Sequence, residues 1–185
     1  MPIVRIIFFS LALIGCDADN EVLPQSQSSS SLLVNVFGWS VVELEHDPFY
    51  ELWSNNVRCR EDEHGVELLA DVWVYSVQTG NCNWLTVQQP SRNLVRAGDL
   101  VRAEIWHFAL TAPEAASAWV GLASADGILV KIREPIPQAA RLIELEFTAQ
   151  RDITEDTPIY FHVSNHGANS WHLLNIEINP DGAEL

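Results

Sequence analysis

Basic side chains are scarce in this chain of 185 residues, in which Lys131 is the only lysine. Ten Lys and Arg stand against 25 Asp and Glu, so the formal net charge at pH 7 is −15. A surface this acidic repels phosphate backbones, which argues against nucleic acid as a partner. The same charge keeps an exported domain in solution, so acidity alone identifies no partner.

Two further kinds of signal are missing, catalytic motifs and long apolar runs. The chain has no Gly-x-Ser-x-Gly elbow, no glycine-rich phosphate loop and no His-Glu-x-x-His pair. We therefore expect a protein that is not an enzyme. Beyond the first 16 residues, no apolar segment is long enough to cross a membrane as a helix.

The first 16 residues carry the arrangement of a secretory signal. Arg5 supplies a positive charge, the apolar run Ile6–Ile14 follows, and the run ends in Leu13-Ile14-Gly15-Cys16. This ending resembles the lipobox of bacterial lipoproteins. The resemblance implies cleavage before Cys16 and lipid attached to that cysteine. The alternative is a buried first strand that happens to end in cysteine.

A polar tract after Cys16 separates this signal from the rest of the chain. We expect a cleaved signal at 1–15, a lipidated, Ser-rich disordered tether at 16–31, and one folded domain at 32–185. About fifteen flexible residues reach roughly 20 Å, which keeps the domain near a bilayer that anchors acylated Cys16. The expected location is the bacterial cell envelope, on the periplasmic or the surface side.

With Cys16 committed to lipid, Cys59 and Cys82 remain. An exported compartment is oxidising, so we expect a disulfide between them, which stabilises the fold by about 3 kcal/mol. Neither cysteine has another Cys or a His at zinc-finger spacing, which disfavours metal binding by the pair. The remaining alternative is two free buried thiols.

Alternating apolar and polar residues predict that the domain is built of β-strands. Leu100–Leu110 places Val101, Ala103, Ile105 and His107 on one face, and Asp126-Gly127 marks a hairpin. Further strand candidates are 32–37, 57–60, 66–77, 84–88, 117–124, 128–133, 142–148, 158–163 and 171–178. Only Pro113–Ala118 favours a short helical turn. About eight to ten short strands predict an all-β fold, an antiparallel β-sandwich or jelly roll.

Four passages resemble elements of galactose-binding-like jelly rolls, the fold of many carbohydrate-binding modules. They are Gln88-Gln89-Pro90, Arg96-Ala97-Gly98-Asp99-Leu100-Val101, Phe147-Thr148-Ala149 and the closing Trp171–Ile178. The resemblance implies the fold. No ligand-binding motif of a particular module matches, so it implies no ligand and no binding residue.

Histidines in the C-terminal half suggest one candidate site. Imidazole is the commonest metal ligand, and His107, His162 and His166 lie on or beside strands that could be neighbours. If the three converge, they form a Zn or Cu site. The alternative is that they pack and hydrogen-bond within a sheet.

The polar loop before the last strand is the favoured binding site. Asn165, His166 and Asn169 supply donors and acceptors, and Trp171 supplies a ring that could stack on a sugar. The alternative is turn chemistry with Trp171 in the core. An acidic, aromatic stretch around residues 43–53, with Glu61-Asp62-Glu63-His64 after it, could also bind Ca²⁺. The alternative is a solvated face, which is usual for carboxylates on an acidic protein.

We therefore expect a membrane-anchored, non-catalytic binding module without a cofactor, with carbohydrate as the favoured ligand. Two alternatives stay open. One is a periplasmic protein that binds Zn or Cu through its histidines. The other is a structural envelope component that binds another protein.

Overall fold

The computed structural model describes residues 31–52 and 57–179, which form two antiparallel sheets with the core between them. This confirms the predicted all-β sandwich. The lipobox with Cys16, the signal and all of the tether except Ser31 lie outside the described residues. Within these ranges, no helix is long and apolar enough to cross a membrane.

The described chain contains eleven strands and three single-turn 3-10 helices. The strands are β1 (Ser31–Leu32), β2 (Ser40–Val41), β3 (His64–Leu69), β4 (Val72–Gln78), β5 (Trp84–Pro90), β6 (Leu100–His107), β7 (Ala116–Ser124), β8 (Gly127–Ile136), β9 (Arg141–Thr148), β10 (Pro158–Ser164) and β11 (Ser170–Asn179). The 3-10 helices are Leu44–His46, Tyr50–Leu52 and Glu61–Glu63.

The strands alternate between the two sheets along much of the chain, as in a jelly roll. The first sheet has the order β3-β4-β11-β6-β9, and β1 also pairs with β11, near its C-terminal end. The second sheet has the order β2-β5-β10-β7-β8. The strand β11 therefore lies at the centre of the first sheet, and β10 at the centre of the second.

Side-chain alternation places the core between the sheets. The predicted face of β6 is confirmed, because Val101, Ala103, Ile105 and His107 are all buried. Trp171 on β11 is 0% exposed and is the largest fully buried side chain. Its cross-strand partners are Val77 on β4 and His107 on β6. The part of the core around Trp171 is thus formed by β11 and the two strands that pair with it, β4 and β6.

Three segments differ from the sequence prediction. Pro113–Ala118 forms no helical turn, because β7 begins at Ala116 and pairs with β8, which overrides the local preference for a helix start. In 32–37 only Leu32 belongs to a strand, and 57–60 contributes one isolated bridge, from Arg58 to Trp84. Ala70 and Asp71, both with positive φ, divide 66–77 into a hairpin.

The predicted disulfide between Cys59 and Cys82 is present, with the two Cα atoms 4.8 Å apart. The backbone N–H of Cys59 also donates to the carbonyl of Trp84 at 2.9 Å. Together these bonds hold the chain ahead of the Glu61–Glu63 helix against the start of β5.

Residues 42–52 cover the outer face of the second sheet, and we call them the strap. Phe49 of the strap is 1% exposed and stacks on His162 of β10, with ring centroids 4.5 Å apart. The Asp47 carboxylate accepts hydrogen bonds from the Phe49 N–H and the Thr86 hydroxyl, both at 2.8 Å. The outer face of the second sheet is therefore closed where Phe49 lies.

Burial under the strap shifts the proton affinities of two groups in opposite ways. It raises the pKa of Asp47, against the lowering effect of its hydrogen bonds to Phe49 and Thr86. It also lowers the pKa of His162 well below its ordinary value. Since Thr86 donates to Asp47, its oxygen accepts the proton of His162 Nδ1 at 2.7 Å.

We expect Gly121→Ala to destabilise the fold by about 1–3 kcal/mol through overpacking. A Cβ atom at Gly121 would lie 2.9 Å from the Phe49 ring and 3.0 Å from the Val130 carbonyl oxygen. Gly80→Ala is the matched control, because that Cβ atom meets nothing within 4 Å. Urea unfolding measures both variants, and equal stability of the two would contradict close packing under the strap.

Candidate functional site

The outer face of the first sheet carries a set of aromatic and polar side chains, which we call the open face. Ser76, His172, Trp106 and Leu142 lie side by side across β4, β11, β6 and β9. A polar group continues along the same face. It comprises Glu67, Arg102, Glu104, Glu144, Glu146, Asn175 and Glu177.

A β-bulge in β11 shapes the middle of the open face. Leu173 pairs with Ile105, and Asn175 pairs with the next residue, Glu104, so that Leu174 is an extra residue. The Asn175 amide donates to the Glu104 carboxylate at 3.0 Å and to the Glu177 carboxylate at 3.3 Å. Its own oxygen is buried and accepts no hydrogen bond from the described residues.

An aromatic corner lies at one end of the open face. Phe108, which follows β6 directly, meets Trp106 edge-on at 6.3 Å between ring centroids and meets His172 edge-on at 5.4 Å. Phe108 is 49% exposed and Trp106 is half-buried, so both rings reach solvent. Edge-on packing fixes the rings in place and leaves ring surface free for another apolar group.

His172 connects the aromatic corner to the acidic part of the face. Its Nδ1 atom lies 3.0 Å from the Glu67 carboxylate and 3.0 Å from the Ser76 hydroxyl. Because a carboxylate only accepts, the ring proton is on Nδ1, and Nε2 is the acceptor. Burial lowers the pKa of His172 below its ordinary value, and the nearby Glu67 carboxylate opposes part of that shift.

The rest of the open face is acidic. Arg102 binds the Glu146 carboxylate at 2.7 Å and lies 3.7 Å from that of Glu144. Five glutamates and one arginine thus line it, and Glu67, Glu144 and Glu146 are each more than 40% exposed. Carboxylate oxygens are acceptors only, so this surface suits a ligand rich in hydroxyl or N–H donors.

The loop favoured by the sequence is a buried hydrogen-bond network. Asn169 is 5% exposed, accepts from the Thr111 N–H at 2.7 Å and donates to the Thr111 carbonyl at 3.0 Å. Asn165 is 2% exposed and donates to the Thr79 hydroxyl at 2.7 Å. Neither amide is directed at solvent, so both hold the loop in shape.

The structure corrects the expectation for Trp171 and leaves His166 at the surface. The Trp171 indole is 0% exposed, because β11 turns it into the core, where its ring lies 5.0 Å from that of His107. It presents no face to a ligand. His166 is exposed and lines a groove with Pro113, Glu114 and Arg133.

The three histidines suggested as metal ligands lie in different environments. His107 faces the core and its Nδ1 donates to the Phe108 carbonyl at 2.7 Å, His162 lies under the strap, and His166 is exposed. In the part of the chain that the structure describes, a single group of three potential ligands is within 4.8 Å of one another. It consists of Cys59, Glu63 and Cys82, without any histidine.

The acidic, aromatic stretch suggested for Ca²⁺ is the strap together with residues outside the described ranges. Its buried carboxylate, Asp47, is bound by Phe49 and Thr86. Glu45 and Glu51 are exposed.

Alternation along β6 was sufficient to predict the aromatic corner, although the sequence prediction covered only the buried face with His107. Alternation along β6 predicted that His107 shares a face with Ile105. The same alternation places Trp106 on the opposite face, where the sheet meets solvent. The charged residues Arg102 and Glu104 share that opposite face and would have indicated it.

Comparison with known proteins found no match among protein-family models and no match among curated proteins. Several solved structures of carbohydrate-binding modules are similar. TmCBM61 in complex with beta-1,4-galactotriose has a TM-score of 0.49 at 7% identity, over 80% of this chain and 97% of that chain. Family 16 Carbohydrate Binding Module-2 has a TM-score of 0.40 at 10% identity, over 63% and 84%. The family 29 module CBM29-2 has a TM-score of 0.40 at 9% identity, over 83% and 93%.

We expect Asn169→Ala to cost about 1–3 kcal/mol of stability, because it removes the hydrogen bonds between the buried Asn169 amide and the backbone of Thr111. His166→Ala, three residues away on the exposed side of the same loop, should change stability by no more than about 0.5 kcal/mol. Both free energies of unfolding are measured in urea. If Asn169→Ala were as mild as His166→Ala, the loop would not depend on the network.

Proposed function

We propose that this protein is a non-catalytic binding module that holds a glycan against the open face. The observation that carries the proposal is the aromatic corner of Trp106 and Phe108, which adjoins a row of carboxylates and an amide on one sheet face. The proposal depends on this chemistry, because structural likenesses below a TM-score of 0.5 transfer no ligand.

A sugar ring matches the two halves of the open face. Its C–H surface is apolar and packs on an aromatic ring, while its hydroxyl groups donate to acceptors beside that ring. Glu104 and Glu177 supply such acceptors, and the Asn175 amide that donates to both carboxylates holds them in place. Four adjacent strands, from β4 to β9, span about 14 Å, which accommodates an extended oligosaccharide.

The charge of the open face narrows the class of glycan. Five glutamates against one arginine repel an anionic chain, and little screening occurs within the first few ångströms. Neutral glycans should therefore bind better than chains that contain uronic acids, and the difference should shrink as salt is added.

Binding to a panel of soluble neutral and uronic-acid polysaccharides, measured by affinity electrophoresis and calorimetry, tests the proposal. We expect Trp106→Ala to weaken binding by about tenfold, because the stacking surface is removed. Tyr50→Ala is the control, since Tyr50 is an aromatic residue that is 47% exposed on the strap, which lies on the other sheet.

Two results would contradict the proposal. One is that the wild-type protein binds no member of the panel. The other is that Trp106→Ala binds as tightly as Tyr50→Ala, which would assign the ligand to a different surface.

We further propose that the module is anchored to a membrane of the bacterial envelope through lipid on Cys16. Support comes from the lipobox Leu13-Ile14-Gly15-Cys16. Cys16→Ser should prevent incorporation of labelled palmitate and release the full chain from the membrane fraction of expressing bacteria. The double variant Cys59→Ser, Cys82→Ser should keep the label, and labelled Cys16→Ser protein would disprove the anchor.

A further inference from the structure

Cys59, Cys82 and Glu63 form a buried cluster at the start of β5, and Glu63 lines a small pocket beside Glu67 and Ser76 of the open face. Their exposed fractions are 3%, 4% and 6%, and their potential ligand atoms all lie within 4.8 Å of one another. The disulfide brings the two sulfur atoms together, and the 3-10 helix Glu61–Glu63 brings the carboxylate to them.

Only one of the two oxygens of the Glu63 carboxylate has a hydrogen-bond partner among the described residues. One carboxylate oxygen accepts from the Arg60 N–H at 2.7 Å, which closes the helical turn, and lies 4.0 Å from the exposed Arg60 guanidinium. The other oxygen, Oε1, is buried and has no hydrogen-bond partner among the described residues. A buried carboxylate oxygen without a donor is unfavourable, and a cation would satisfy it.

We propose that this cluster is a thiol-dependent zinc site, which forms when the disulfide is reduced. A dithiol reductant supplies two electrons and two protons: the bond between Cys59 and Cys82 breaks, two thiols form, and the reductant becomes a disulfide. Zn²⁺ then displaces both thiol protons and binds two thiolates and the Glu63 carboxylate. Water fills the fourth position of the tetrahedron.

The three donors start close together, and metal binding requires the two sulfur atoms to move apart after reduction. Donor atoms around tetrahedral zinc lie about 2.0–2.3 Å from the metal, and therefore within about 4 Å of one another. The donors of Cys59, Cys82 and Glu63 are already within 4.8 Å. The cysteine spacing in the sequence argued against zinc because it lacked a third ligand at finger spacing, and Glu63 provides one through the fold.

Disulfide and zinc are mutually exclusive here, and each links the same two parts of the chain. The disulfide ties the segment before the Glu61–Glu63 helix to β5. Zinc would make the same link through three side chains. The redox potential of the surroundings therefore determines whether the two cysteines form a disulfide or bind zinc.

The test uses the full chain, purified without a His-tag, in oxidised form and after reduction with a phosphine in the absence of oxygen. Thiol titration checks the reduction. Equilibrium dialysis against Zn²⁺ with elemental analysis should give one zinc per reduced chain and none per oxidised chain. Co²⁺ should give the thiolate charge-transfer absorption only with the reduced protein.

Glu63→Gln should weaken Zn²⁺ binding to the reduced chain by about tenfold or more. Glu61→Gln, an exposed change in the same helical turn, should leave it unaltered. Circular dichroism monitors folding throughout. Three results would each overturn the proposal: reduced protein without stoichiometric zinc, Glu63→Gln equal to Glu61→Gln, or a reduced chain that unfolds and does not refold with Zn²⁺.

Discussion

The pairing of β11 with β6 is the constraint on which most of the molecule depends. On one side of β11, Trp171, Leu173, Ile176 and Ile178 fill the core. On the other side, His172, Asn175 and Glu177 contribute to the open face. Because side chains alternate along a strand, one register sets both surfaces, and a shift by one residue would exchange them. The register of β11 against β6 thus determines both which side chains fill the core and which form the candidate site.

The two sheets use their outer faces differently. The strap closes the second sheet by placing Phe49 on His162, and the lowered pKa of that histidine reflects the dry environment. The first sheet has an exposed outer face of mostly polar side chains and one aromatic corner. The two outer faces thus differ: the strap covers the part of the second sheet around His162, while Lys131 and Arg133 on β8 stay exposed.

The sequence predicted the sandwich and most strands, because the alternation of apolar and polar residues is visible within each strand. It predicted the disulfide, because two cysteines remain once Cys16 is set aside. It misassigned the loop around Asn169, since a polar loop sequence looks the same whether its amides face solvent or backbone. It placed Trp171 at a ligand because the ring follows that loop, although the alternation of β11 sends it inward. The cluster of Glu63 with two cysteines needed the fold, because nothing in the sequence relates that carboxylate to Cys82.

The bulge at Leu174 determines where β11 can change its length. Removing this one extra residue would restore regular pairing and leave Trp171, Ile176 and Ile178 on the side that they occupy now. Removing Leu173 gives the same sequence, because residues 173 and 174 are both leucine. Removing Ile176 or Glu177 would instead disturb the alternation beyond the bulge and turn core side chains toward water. In the strand that carries both surfaces of this protein, the loss of one residue is therefore accommodated best at the two adjacent leucines.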